Sequence, residues 1–183
     1  MGVCAIVVSY RIAVFVSSLT LFPPSYKRRS FDRQFFDASP SGSSSSSKYP
    51  FNSYYRSRRC QTLYLASDIL KAGAQPKHRK IVAIQLKPKQ HPRYDLTNFR
   101  IEYRLMEADV KSLRCTWYDT TTCYGPETLP VADLKPAQDW TTFRLQTPIE
   151  WDGESNILLQ YSYNGPLNTQ YYRGQGERNC IVA

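Results

Sequence analysis

Histidine is almost missing from this sequence. The 183 residues hold only two, His78 and His91, and neither stands at a metal-ligand spacing from the other or from a pair of cysteines. Zinc requires three or four nitrogen, sulfur or oxygen ligands that converge, so no metal and no cofactor are expected. Glycine is sparse too, with eight residues. There is no glycine-rich phosphate loop, no G-x-S-x-G elbow and no kinase signature, which removes the nucleotide-binding and serine-hydrolase classes. Internal repeats are lacking as well. Two pairs of nearby carboxylates, Asp133 with Asp139 and Glu150 with Asp152, have the residue types of acid–base chemistry, but turns are rich in aspartate for their own reasons. An enzyme is not expected.

Aromatic residues and positive charge are what the chain has in quantity. Fourteen tyrosines, eight phenylalanines and three tryptophans suit the half-buried pleated surface of a sheet. The formal net charge is +9, and much of it falls early, in Lys27, Arg28, Arg29, Arg33, Arg56, Arg58 and Arg59. Beside the serine run Ser43 to Ser47, such charge reads as a solvated tail, and no nucleic-acid partner is expected. Residues 1–22 are largely apolar from Val3 onward, with Arg11 in the middle and no basic start. They read as a signal or anchor segment that would associate with membrane, or as a ragged start of the reading frame. Residues 23–59 show no sustained period and read as a disordered basic, serine-rich linker.

Periodicity begins at Thr62. Thr62 to Leu65 reads as a short strand, and Ser67 to Ala72 as one helical turn, capped by Ser67 and stopped by Gly73. Lys80 to Leu86 is an apolar strand. Leu96 to Leu105 alternates, with Phe99, Ile101, Tyr103 and Leu105 on one face and Arg100, Glu102 and Arg104 on the other. Thr116-Trp117-Tyr118 and Thr128 to Val131 read as short strands around a loop holding Tyr124-Gly125-Pro126. Trp140 to Leu145 alternates again, Trp151-Asp152-Gly153 makes a turn, and Asn156 to Tyr163 is a further strand. About seven short strands with regular turn signals predict an all-β fold, an antiparallel β-sandwich of jelly-roll type over residues 60–165, followed by a C-terminal tail, 166–183.

Several segments carry a family resemblance. They are Thr62-Leu63-Tyr64 with Ala66 to Ile69 and Ala72-Gly73, then Ile81 to Ile84, Leu96 to Ile101 and Asp139 to Phe143. Thr147 to Gly153 follows, and Ser155 to Leu159 is the most specific. Over about residues 61–165 the chain resembles the jelly-roll-like β-sandwich domains of secreted and surface proteins of Bacteroidota. The resemblance implies an extracellular accessory module near adhesion, glycan-handling or proteolytic domains, and it carries over no catalytic residue. The basic tail and five cysteines depart from that pattern.

Cys115 and Cys123 bracket a short segment rich in tyrosine and threonine. In an oxidising compartment they would close a disulfide loop; otherwise they are two buried thiols. Tyr118 and Tyr124, in settings that read as loops, are the candidate ligand contacts, whereas Trp151, Tyr161 and Tyr163 read as core. The expected function is a non-catalytic module, secreted or at the cell surface, that binds glycan, extracellular matrix or a protein through loops at one end. The alternative rests on the ending Cys180-Ile181-Val182-Ala183, which fits farnesylation and would make the chain a cytosolic adaptor on the cytoplasmic face of a membrane.

Overall fold

Alternation between Leu96 and Met106 becomes a strand of 11 residues in the computed structural model. The pleat sorts its side chains: Phe99 and Ile101 are fully buried, while Arg100, Glu102 and Arg104 lie on the opposite face. The structure describes residues 10–15, 34–38, 51, 55–74, 80–86, 92–114, 116–135, 139–165 and 174–182. In chain order the elements are β1 (Tyr10–Phe15), β2 (Gln34–Ala38), β3 (Tyr55–Tyr64), α1 (Ala66–Lys71), β4 (Lys80–Leu86), β5 (Leu96–Met106), β6 (Thr121–Leu129), β7 (Thr141–Glu150), β8 (Asn156–Asn164) and β9 (Gly174–Val182).

The fold is an all-β sandwich. One sheet has four strands in the order β2-β1-β4-β7, and the other has five in the order β6-β5-β8-β3-β9. Among the described residues every pairing is antiparallel except β3 with β9. The expected sandwich is present, and its sheets reach beyond residues 60–165. Strands β1 and β2 fall in the segments read as signal or anchor and as linker, and β9 falls in the segment read as tail.

Apolar rings fill the space between the sheets. Phe99 and Phe143 are 5.3 Å apart between centroids, and Phe51 meets both at 6.0 and 6.3 Å. Burying each ring contributes about 1.5–3 kcal/mol. Around them pack Ile81, Ile84, Leu86, Ile149, Ile157 and Tyr161, all buried. The turn after β7 is tied by one carboxylate. Asp152 Oδ1 accepts the backbone N–H groups of Glu154 and Ser155 at 2.8 and 2.7 Å, Gly153 takes φ 88°, and the buried Trp151 ring donates its N–H to the Ser155 carbonyl at 2.8 Å.

Helix α1 ends as the sequence predicts. Gly73 adopts φ 110° and donates to the Leu70 carbonyl at 3.0 Å, and Ala74 donates to Ile69 at 3.2 Å. This double bond satisfies carbonyls that the last turn leaves without partners. Its start differs from the expectation. Ser67 lies inside the helix and exposed, and the N-cap is Leu65, whose side chain cannot accept a hydrogen bond. The missing acceptor comes from another strand: Asn156 Oδ1 takes the Ala66 N–H at 2.8 Å. The same side chain donates to the Glu107 and Val110 carbonyls at 3.0 and 2.8 Å. One buried amide thus joins β8, the helix and the turn after β5.

Residues 107–114 and 116–120 lie across the outer face of the five-stranded sheet rather than forming a strand at Thr116 to Tyr118. Leu113 drops into an apolar patch with Leu63, Met106 and Leu158, and Val110 and Tyr118 pack at its margin. This cover helps bury β8 on both faces from Asn156 to Tyr161, including the polar Asn156 and Gln160. The segment Tyr124-Gly125-Pro126 is likewise not a loop but the middle of β6. Gly125 has φ 78°, and a Cβ there would stand 2.2 Å from the Phe99 carbonyl oxygen, so only glycine lets β6 approach β5 so closely.

Candidate functional site

The cross-strand register builds a polar row over the outer face of the five-stranded sheet. Glu102, Gln160 and Gln61 stand opposite one another on β5, β8 and β3, and Thr122 of β6 faces Glu102. Their side chains are linked. Thr122 Oγ1 donates to Glu102 Oε1 at 3.3 Å, and Gln160 Nε2 donates to the other oxygen of Glu102. Gln61 Nε2 then donates to Gln160 Oε1 at 2.8 Å. Both glutamines are buried, and each amide finds partners in the row, which is what makes polar burial in the middle of a sheet tolerable.

This row divides the outer face. On one side lies the apolar patch under residues 107–120. On the other, the next two rows hold Arg100, Ser162 and Arg59, then Asn164 and Ser57. Arg59 stands at the boundary. Its Nε donates to Gln160 Oε1 at 2.7 Å, and its guanidinium carbon lies 4.5 Å from the centroid of the Trp117 ring. Stacking and the hydrogen bond together fix the plane of the guanidinium. Beyond it a groove of about 200 Å3 is lined by Ser57, Arg59, Asn98, Ser162 and Asn164, with Arg58 and Tyr163 completing the walls.

Asn98 forms one lip of that groove from a break in the β5 register. It has φ 54°, the one positive value among the described non-glycine residues, and its Oδ1 accepts from Arg100 Nη2 at 2.7 Å. A bulge of this kind re-aims a side chain that regular pleating would have pointed elsewhere. The same guanidinium has its Nε buried without a hydrogen-bond partner.

The residues singled out from sequence are spread over the molecule. Tyr118 borders the site: its hydroxyl accepts the Arg114 N–H at 3.3 Å, and the Arg104 guanidinium lies 6.0 Å from its ring. Tyr124 is on the other side of the sheet. Its ring meets Phe99 and Phe143 edge-on at 5.9 and 5.4 Å, and its hydroxyl bonds to Glu127. Burial, and then the Glu127 carboxylate, push that phenol well above its usual range.

Cys123 is a free, buried thiol facing the core, with its Sγ donating to the Ile101 carbonyl at 3.3 Å. Burial pushes it up to about 12 against the opposing effect of a backbone hydrogen bond, with the Glu102 charge adding to the rise. Cys115, its expected disulfide partner, lies outside the described residues, as do His78 and His91. Cys180 is in β9, opposite Cys60 of β3 in the register.

Of the carboxylate pairs, Glu150 is ion-paired with Lys80 at 2.9 Å and Asp152 is held within its own turn. Among the described residues, no three His, Cys, Asp or Glu side chains gather to hold a metal ion, and no helix is long and apolar enough to cross a membrane. Arg59 and Arg100 were not singled out as site residues by sequence. The signal was there in the alternation Ser57, Arg59, Gln61, Leu63, which continues the β3 pattern into the basic tail.

Comparison with known proteins adds no relative: no family model, no curated protein and no solved structure matches the chain.

Proposed function

We propose that this sandwich, of the jelly-roll type, is a non-catalytic recognition module of a secreted or cell-surface protein, and that it binds glycan on the outer face of the five-stranded sheet. The observation that carries the reading is the unit formed by Arg59, Trp117 and the Glu102–Gln160–Gln61 row. Sugars offer hydroxyl groups in fixed directions and a flat apolar ring face. The Arg59 guanidinium, held in place by the buried row, and the exposed Asn98 amide match the hydroxyls with little loss of side-chain entropy on binding, and the Trp117 indole beside Arg59 supplies apolar contact.

Isothermal titration of the full chain with a panel of soluble oligosaccharides tests this. Binding by at least one of them, weakened about tenfold or more in Trp117→Ala with the thermal transition retained, is the expected result. If no oligosaccharide binds the folded protein at millimolar concentration, the glycan reading is overturned.

A further inference from the structure

Resting on the glycan reading, we infer that the groove beside Arg59 takes an anionic sugar unit, one that carries a sulfate or carboxylate. The described lining residues include no acid: hydroxyl groups come from Ser57 and Ser162, amides from Asn98 and Asn164, and the guanidinium from Arg59. Arg100 sits opposite Ser162 in the register, so a second guanidinium borders the same groove. Of the carboxylates on this face, Glu102 already accepts from Gln160 and Thr122, and Glu177 of β9 stands opposite Ser57 in the register.

Geometry supports an anion more than a neutral ring. Arg59 keeps one orientation because Gln160 and Trp117 hold it, and a guanidinium presents a rigid fork of donors that matches the paired oxygens of a carboxylate or sulfate. Arg100 reaches the lip of the groove through its Nη2, which donates to Asn98 Oδ1 at 2.7 Å, while its Nε–H is buried without a hydrogen-bond partner. Asn98 holds a left-handed backbone at the lip, a conformation that non-glycine residues keep only where their surroundings impose it. The groove, about 200 Å3, lies below the 300–1,000 Å3 usual for whole drug-sized ligands, so it fits one substituted ring of a longer chain.

The experiment is titration of the full chain, at fixed physiological salt, with four probes. They are a heparin hexasaccharide, its fully desulfated counterpart that retains carboxylates, an oligogalacturonate and a neutral cello-oligosaccharide. One of the acidic sugars is expected to bind about tenfold or more tighter than the neutral one. The comparison of sulfated with desulfated probe assigns the sulfate or the carboxylate. Arg59→Gln and Arg100→Gln should each remove that advantage, while Arg144→Gln, exposed on the other sheet, changes affinity less than threefold.

Asn164→Asp places a carboxylate at an exposed position of the groove and should repel the acidic probes without weakening neutral ones. Equal binding of neutral and acidic probes, or equal losses in Arg59→Gln and Arg144→Gln, overturns the inference and leaves the glycan reading standing. Absence of all sugar binding sinks both. Duplex DNA binding as tightly as the acidic sugars, with the same Arg59 dependence, would reassign the groove to polyanions in general.

Discussion

Gln61 and Tyr118 are joined as two strands would be: the glutamine amide donates to the Tyr118 carbonyl at 2.7 Å and accepts the Tyr118 N–H at 3.1 Å. A side chain thus stands in for one residue of backbone pairing, and residues 116–120 gain a fixed position over the sheet without being a strand. Gln61→Leu removes both bonds and the link to Gln160, and leaves buried groups without partners. A loss of about 2–3 kcal/mol in urea unfolding is expected, with faster amide exchange in residues 116–119 than in β5. Unchanged exchange at Tyr118 would show that Gln61 does not hold the loop.

Gly125→Ala should be among the most damaging single changes. The new methyl meets the Phe99 carbonyl at 2.2 Å, and the backbone there has φ 78°, so neither a rotamer change nor a small side-chain shift relieves it. Left-handed strain alone costs about 1–2 kcal/mol, and the close contact adds to it. Thermal unfolding lowered by 10 °C or more is the expected reading, and a shift under 3 °C would contradict the packing of β6 on β5.

Asp152 links the fold to pH. Its slight burial works to raise the carboxyl, but hydrogen bonds from the Ser155 hydroxyl and from backbone N–H groups outweigh it and hold the group below its usual value. A group depressed on folding contributes fully above its unfolded value, about 3.9, and its contribution fades as pH falls through the folded one. Asp152→Asn is therefore expected to be less stable than the parent at pH 7, with the gap narrowing below about pH 4. A gap that widens in acid would exclude the carboxylate as its source.

Cys123 should resist alkylation in the native state. Its thiol is buried and raised to about 12, so little thiolate exists at pH 8. Iodoacetamide followed by peptide mapping should label Cys123 only as the protein unfolds, with label rising along the urea transition. Rapid native labelling would place β6 outside the core.

The parts of the fold that were legible in the sequence share one cause: their side chains sort cleanly by period. β5 and β7 alternate, Gly73 stops a helix, and Asp152-Gly153 closes a turn, each for a reason contained within a few residues. The illegible parts depend on distant partners. The first half of β3 reads as a solvated basic tail because Arg56, Arg58 and Arg59 are charged, yet Arg58 is 3% exposed, and Arg59 is held by Gln160 and Trp117 far along the chain. Ser67 reads as a cap because nothing local reveals that Asn156 already occupies that role. The groove was hidden for the same reason. Arg59 and Arg100 are 41 positions apart, and only the β5-β8-β3 order brings them onto one face.

Asn156 and Gln61 hold the two ends of the covering segment through its backbone, at Glu107, Val110 and Tyr118. Its exposed positions between them, including Ala108, Asp109, Lys111 and Ser112, carry none of that anchoring through their side chains. Change can therefore act on the two separately: the anchors stay with the sandwich, and the exposed positions between them are free to vary without loosening either end.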